Sequence, residues 1–268
     1  MENDFKSFEN YMRERELSEN TINAYINDLK TYIKESGNDF SKDRIVDFKW
    51  KMLKIHKAKT VNHYITAIKA YLKFKGESCD VKKVKVQKMN AVENVITKEQ
   101  YDLLIANLES EGKEKYAMYF QIPAKTGARV SEFLKFTKRD LDRGYAEFFT
   151  KGKVRTIYFP EKLRKEAEPM FKDLKDEDVL VTNRKGEAMT ARGFDALFKN
   201  YAKKYGIPKE VAHAHGLRHF FAKEFLKRNS DITLLADLLG HSGVNTTMIY
   251  TRNSKEEQIS KLNKAVDW

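Results

Sequence analysis

Apolar residues recur every three or four positions through most of this chain, and that period dictates helices. Phe5, Phe8 and Met12 fall on one helical face. Ile22, Ile26, Leu29 and Ile33 repeat the spacing after Ser18, whose hydroxyl is placed to cap a helix start, and Gly37 ends that run. Two more stripes follow, Ile45, Phe48, Met52 and Ile55 in one and Val61, Ile65, Ile68 and Leu72 in the other. Short helices of this kind bury their stripes only against one another, so residues 1–76 are expected to form a compact helical bundle.

From Gly76 to about Ile96 the stripe is lost. Val and Lys alternate through Val81-Lys82-Lys83-Val84-Lys85-Val86, and residues 77–96 are expected to be an extended linker. The helical pattern resumes after Thr97, with Gln100 completing a capping box. Residues 97–268 then read as a second domain, mainly α with a small β-sheet. Its β-like runs are Tyr145–Phe149, Thr156–Phe159 and Val179–Val181, and a basic turn, Thr150-Lys151-Gly152-Lys153-Val154-Arg155, joins the first two. Leu217, Phe220, Phe221, Phe225 and Leu226 give a later helix its apolar face, with His215 and Arg218 projecting together on another side. Ile232, Leu235, Leu238 and Leu239 form a further helix stopped by Gly240, and Asn245 to Tyr250 reads as a short helix.

Charge points to a polyanionic partner. The 268 residues carry 51 Lys and Arg against 39 Asp and Glu, a net +12. Residues 1–41 hold 5 basic against 9 acidic side chains, a net of −4, whereas residues 42–88 hold 14 against 4, a net of +10. Within that block Lys57, Lys59, Thr60 and Asn62 mix cations with hydroxyl and amide donors, which suits both phosphate and base contact. Lys153 and Arg155 of the basic turn are candidate DNA contacts of the same kind. The single Cys79 excludes a disulfide framework within the chain. No apolar run approaches the ~18 residues of a membrane span, so a cytoplasmic protein with no membrane partner is expected. His213, His215, His219 and His241 lie close in sequence but lack a carboxylate or cysteine at a recognised metal spacing, and no metal or other cofactor is expected.

The chemistry-bearing residues are few. Arg129 and Arg218 supply two rigid guanidinium forks, suited to clamping one phosphate. Tyr250 is a candidate nucleophile, and a phenol of pKa about 10 needs a proton acceptor or a positive pocket at neutral pH. His215 and His241 are placed to provide these. Arg129 lies in Thr126-Gly127-Ala128-Arg129-Val130-Ser131-Glu132, His215 and Arg218 form H-x-x-R, and Tyr250 stands nine residues after Gly240-His241. With Lys151 between them, these elements occur in one order.

In that order and spacing the chain resembles a tyrosine recombinase of the phage integrase family, closest to Xer-like and small mobile-element integrases. The resemblance covers nearly the whole length. It implies an N-terminal helical core-binding, SAM-like domain over residues 1–76 and a tyrosine recombinase catalytic domain over 97–268. It further implies strand cleavage through a 3′-phosphotyrosine and a Holliday junction. Arg129 and Arg218 would hold the scissile phosphate, Tyr250 attack it, His241 donate a hydrogen bond to it, His215 assist proton removal and Lys151 protonate the departing 5′ oxygen. Glu132 would support the site, and His219 has a structural reading. The partner implied is double-stranded DNA with an inverted-repeat core site, bound by a homo-tetramer, and a second recombinase or accessory protein is admitted. Residues 255–268, with Ile259, Leu262 and Val266 at helical spacing before Trp268, would dock on a neighbouring protomer or on their own domain. No arm-binding domain is expected before Phe5. A type IB topoisomerase-like enzyme and a catalytically silent DNA-binding protein on the same fold remain the alternatives.

Overall fold

The computed structural model describes residues 2–86, 92, 94–150, 153–241, 243–252 and 255–266. The chain divides into two units, residues 1–88 and 89–268.

The first unit is built from α1 (Glu2–Glu14), α2 (Glu19–Ser36), α3 (Lys42–Leu53) and α4 (Ala58–Phe74). Ser18 caps α2 by accepting from the Thr21 amide at 3.3 Å. The stripes meet as expected: Phe8, Met12, Ile22, Leu29, Phe48, Ile65 and Ile68 are buried in one core. Each contributes about 1.5–3 kcal/mol relative to exposure. Ile55 does not join them. Helix α3 ends two residues earlier, so Ile55 leaves the buried face and is 67% exposed.

The stretch expected to be a linker is partly docked on this unit. Val81 is buried in the first core. Asn62 offers both ends of its amide to one backbone unit, donating to the Val84 carbonyl at 2.9 Å and accepting from the Val84 amide at 2.8 Å. The side chain thus does for an extended segment what a neighbouring strand would do.

In the second unit come α5 (Lys98–Ser110), α6 (Glu114–Thr126), α7 (Val130–Phe133) and α8 (Lys138–Arg143). The Thr97–Gln100 capping box forms at 3.0 and 3.2 Å. Strands β1 (Tyr145–Thr150) and β2 (Lys153–Tyr158) pair antiparallel, from Tyr145 opposite Tyr158 to Thr150 opposite Lys153. The expected third strand is absent from the described sheet. Leu180 and Val181 are buried, but Val179 bridges only to Thr137 and the Leu180 amide donates to Phe136, so the segment is an extended loop without a strand partner. Then follow α9 (Glu161–Phe171), α10 (Ala191–Lys204), α11 (Ala214–Arg228), α12 (Ile232–Leu239), α13 (Val244–Thr247), a 3₁₀ turn (Met248–Tyr250) and α14 (Lys255–Ala265).

Helix α11 organises this unit because it is apolar on two sides. Leu217 and Phe220 enter the main core with residues of α5, α6 and α10, while Ala222, Phe221 and Phe225 pack with Leu235, Leu239 and Tyr250. Between the two clusters lies Arg218, only 2% exposed, so it does not share a surface with the exposed His215 as the spacing had implied.

Candidate active site

The C-terminal end of α12 gathers three arginines. Its last carbonyls have no partner within the helix and carry the negative end of the dipole. Leu238, Leu239 and Gly240 each turn a carbonyl to a different guanidinium: Arg155 at 3.3 Å, Arg218 at 2.6 Å and Arg129 at 3.2 Å. Arg218 also donates to the Gly127 carbonyl at 2.8 Å, where α6 ends. Both helix ends depend on glycine. Gly127 has φ +65° and a Cβ there would lie 2.5 Å from the Phe221 ring, while Gly240 has φ +61° and its Cβ would meet Arg155 at 2.5 Å.

One carboxylate balances these charges. Glu132, buried in α7, accepts from the Arg129 amide at 2.7 Å and its guanidinium at 2.8 Å, and ion-pairs with Arg155. Burial alone would raise its pKa, but the Arg129 and Arg155 contacts win and hold it below the usual range. Burial first, then the Arg155 and Arg129 charges, bring Arg218 down to about 9, and it keeps its proton at neutral pH. Three guanidiniums against one carboxylate leave a net +2 around one point. That arrangement binds an anion, and a forked one best.

The aromatic side of the site is neutral. His241 follows Gly240, where its amide donates back to the Ala236 carbonyl at 3.0 Å and pins the turn. Its Nε2 accepts from Arg218 at 3.1 Å, which leaves Nδ1 to donate to the Thr247 hydroxyl at 2.7 Å. In the free site that Nε2 is therefore an acceptor, not the donor expected from the motif. Burial, then the Arg218 and Arg129 charges, lower His241 to about 4. Tyr250, 7% exposed, lies at the end of the 3₁₀ turn with its ring 6.5 Å from that of His241. Its hydroxyl is 2.8 Å from Nδ1 of His219. Burial raises the Tyr250 pKa, and burial with the neighbouring His215 lowers His219 to about 3.

Arg129, Arg218, His241 and Tyr250 thus come together from four parts of the second unit. His215 sits at their edge, its ring against that of His219 at 4.3 Å. Desolvation and the Arg218 charge lower its pKa. Arg155, expected as a DNA contact, is 10% exposed, with its guanidinium on Glu132 and the Leu238 carbonyl. Asn62, expected as another, has both ends of its amide on the Val84 backbone. Lys57, Lys59 and Thr60 are exposed at the start of α4. Lys151 lies outside the described residues, and Lys153 is placed only as the first residue of β2. Sequence reasoning missed Thr247, buried against His241, and gave His219 no contact with Tyr250. Among the described residues no group of His, Cys, Asp and Glu is placed to hold a metal ion, and no helix is long and apolar enough to cross a membrane.

Comparison with known proteins agrees with this geometry. The family model described as Phage integrase family matches residues 94–257, and that described as Phage integrase, N-terminal SAM-like domain matches residues 5–78. The chain is 26% identical to the tyrosine recombinase XerD of Oceanobacillus iheyensis, with 93% of each chain covered. It is 34% identical to the tyrosine recombinase XerC of Staphylococcus aureus over 49% of this chain and 47% of that one. Its fold matches the Tn1549 transposon integrase in complex with transposon right end DNA, with TM-score 0.74 at 16% identity over 99% of both chains. The matched model spans more than half of the sequence, and the residues it covers include the arginine cluster, His241 and Tyr250: the chain belongs to the phage integrase family and is a site-specific tyrosine recombinase.

Proposed function

We propose that this chain cuts and rejoins double-stranded DNA at an inverted-repeat core site through a phosphotyrosine at Tyr250. Arg129 and Arg218 hold the scissile phosphate, and their fixed donors meet the charge that builds on its non-bridging oxygens. Tyr250 attacks, Lys151 protonates the departing 5′ oxygen, and the 3′-phosphotyrosine stores the bond for religation without metal or nucleotide. An anion beside His241 raises its proton affinity and lets the ring turn from acceptor to donor. His215, its ring 4.3 Å from that of His219, flanks this pocket. What supports this reading most is the cluster of three arginines with one carboxylate, a net positive pocket beside a buried tyrosine hydroxyl.

In this reading residues 1–76 are the core DNA-binding domain, with Lys57, Lys59 and Thr60 on phosphates, and residues 97–268 the catalytic domain, with Lys153 beside the cleaved strand. Four protomers act on two duplexes through a Holliday junction in the cytoplasm, and a second recombinase or accessory protein fits the same scheme. Exposure of Ile259 and Leu262 on α14, each 58%, and of Val266 just after it, 46%, favours docking on a neighbouring copy.

The test starts from duplexes selected out of a random library by binding to the Tyr250→Phe chain. A nicked suicide version of the selected duplex should give a denaturation-resistant DNA adduct with wild type and none with Tyr250→Phe. Specific binding without any adduct would favour the catalytically silent reading instead.

A further inference from the structure

The hydroxyl that has to lose its proton in this reaction is buried and already engaged. Tyr250 is 7% exposed, and its Oη lies 2.8 Å from Nδ1 of His219. His215, the proton acceptor that motif order puts forward, makes no hydrogen bond to Tyr250 among the described residues and sets its ring edge-on to that of His219 at 4.3 Å. The geometry points to His219 as the residue that takes the Tyr250 proton during strand cleavage and returns it during rejoining. This rests on Tyr250 being the nucleophile.

The placement follows from the helix. Arg218 and His219 are consecutive in α11, so their side chains diverge by about 100°. That rotation sends Arg218 to the Gly127 and Leu239 carbonyls and sends His219 to the 3₁₀ turn that carries Tyr250. One rigid element therefore holds a phosphate-clamping arginine and the group facing the nucleophile, within the reach that proton transfer needs.

The atoms balance. In cleavage the Oη–P bond forms as the P–O5′ bond breaks; the phenolic proton passes to Nδ1 of His219, leaving an imidazolium, and the 5′ oxygen takes a proton from Lys151. In rejoining, the 5′ hydroxyl attacks phosphorus and returns a proton to Lys151, and the imidazolium protonates the departing Oη. Burial holds His219 neutral and Tyr250 protonated in the free protein, so the proton stays on oxygen until DNA arrives. The groups facing the pair are His215 and Arg218 from α11, His213 from its N-cap, and His241 from the turn after α12. A bound phosphate offsets the Arg218 charge among them and so eases transfer to His219.

The experiment is single-turnover cleavage by the full chain of the selected duplex carrying a 5′-bridging phosphorothiolate. A thiolate leaves without protonation, so the part of Lys151 drops out. His219→Asn keeps an acceptor oxygen near the Nδ1 position but cannot take the proton. It should cleave about 100-fold or more slowly than wild type at pH 7, and its rate should climb about tenfold per pH unit as tyrosinate forms. His219→Ala should be rescued by free imidazole in proportion to its concentration. A wild-type rate in His219→Asn, a slowed rate with neither pH recovery nor imidazole rescue, or that recovery appearing in His215→Asn instead would each overturn the assignment. Failure of wild type to form any Tyr250-dependent adduct overturns the parent reading as well, and so separates the two.

Discussion

At the scale of single residues, the site keeps its arginines charged and its histidines neutral, and pH should expose that contrast. His219 and His241 titrate at about 3 and about 4 in the folded chain against about 6.5 when exposed. Between those values the unfolded chain binds protons that the folded chain does not, so stability falls as pH drops below about 6.5. Urea midpoints should be level from pH 8 to 7, as far as these two groups are concerned, and decline towards pH 4. The decline should be shallower in a His219→Asn, His241→Asn double variant, and parallel curves would show that neither ring is buried neutral. The same charge contrast predicts an anion effect. Orthovanadate, a forked oxyanion like phosphate, should raise the melting temperature with concentration by mass action, and Arg129→Ala should lose most of that rise in a thermal scan.

At the scale of elements, the ion pair between Glu132 and Arg155 ties β2 to α7, and the Leu238 carbonyl ties it to the end of α12. The β1–β2 pair is thus fixed to the element that Arg129 caps. Arg155→Ala leaves a buried carboxylate with only Arg129 for company and should cost about 3 kcal/mol in urea denaturation. It should also slow cleavage of the suicide duplex while sparing DNA affinity, since the arginine is only 10% exposed. The elements themselves were mostly legible. The helices of the first unit follow their stripes, because burial of a regular stripe is a local pattern with one solution. Ile55 and Val179–Val181 failed for a shared reason: each is apolar in the right rhythm, but a helix stop in one case and the lack of a strand partner in the other decided the outcome.

At the scale of the molecule, α14 and the residue after it leave Ile259, Leu262 and Val266 about half exposed or more at one helical spacing. Such a stripe costs solubility unless a partner covers it. Deleting residues 255–268 should leave binding of a single duplex unchanged in a gel-shift titration. It should reduce complexes containing two duplexes, and recombination with them, at least tenfold. Equal recombination by the truncated and full chains would remove α14 from the assembly.

What the sequence by itself determined is the helical class, the caps at Ser18 and Thr97, and the candidacy of Arg129, Arg218, His241 and Tyr250. These follow from local period, capping chemistry and motif order, all of which are written along the chain. Only the tertiary structure decided which polar group meets which. Arg129 finds its carbonyl 111 residues away, Arg155 finds one 83 residues away, and Tyr250 meets a histidine 31 residues back. A helical period says that residues 218 and 219 point apart by about 100°, but not what waits in either direction. That depends on where α12 ends against α6 and α11. Packing of distant apolar faces sets that position, and it turned Arg155 inward, left His215 at the edge and put His219 on the Tyr250 hydroxyl.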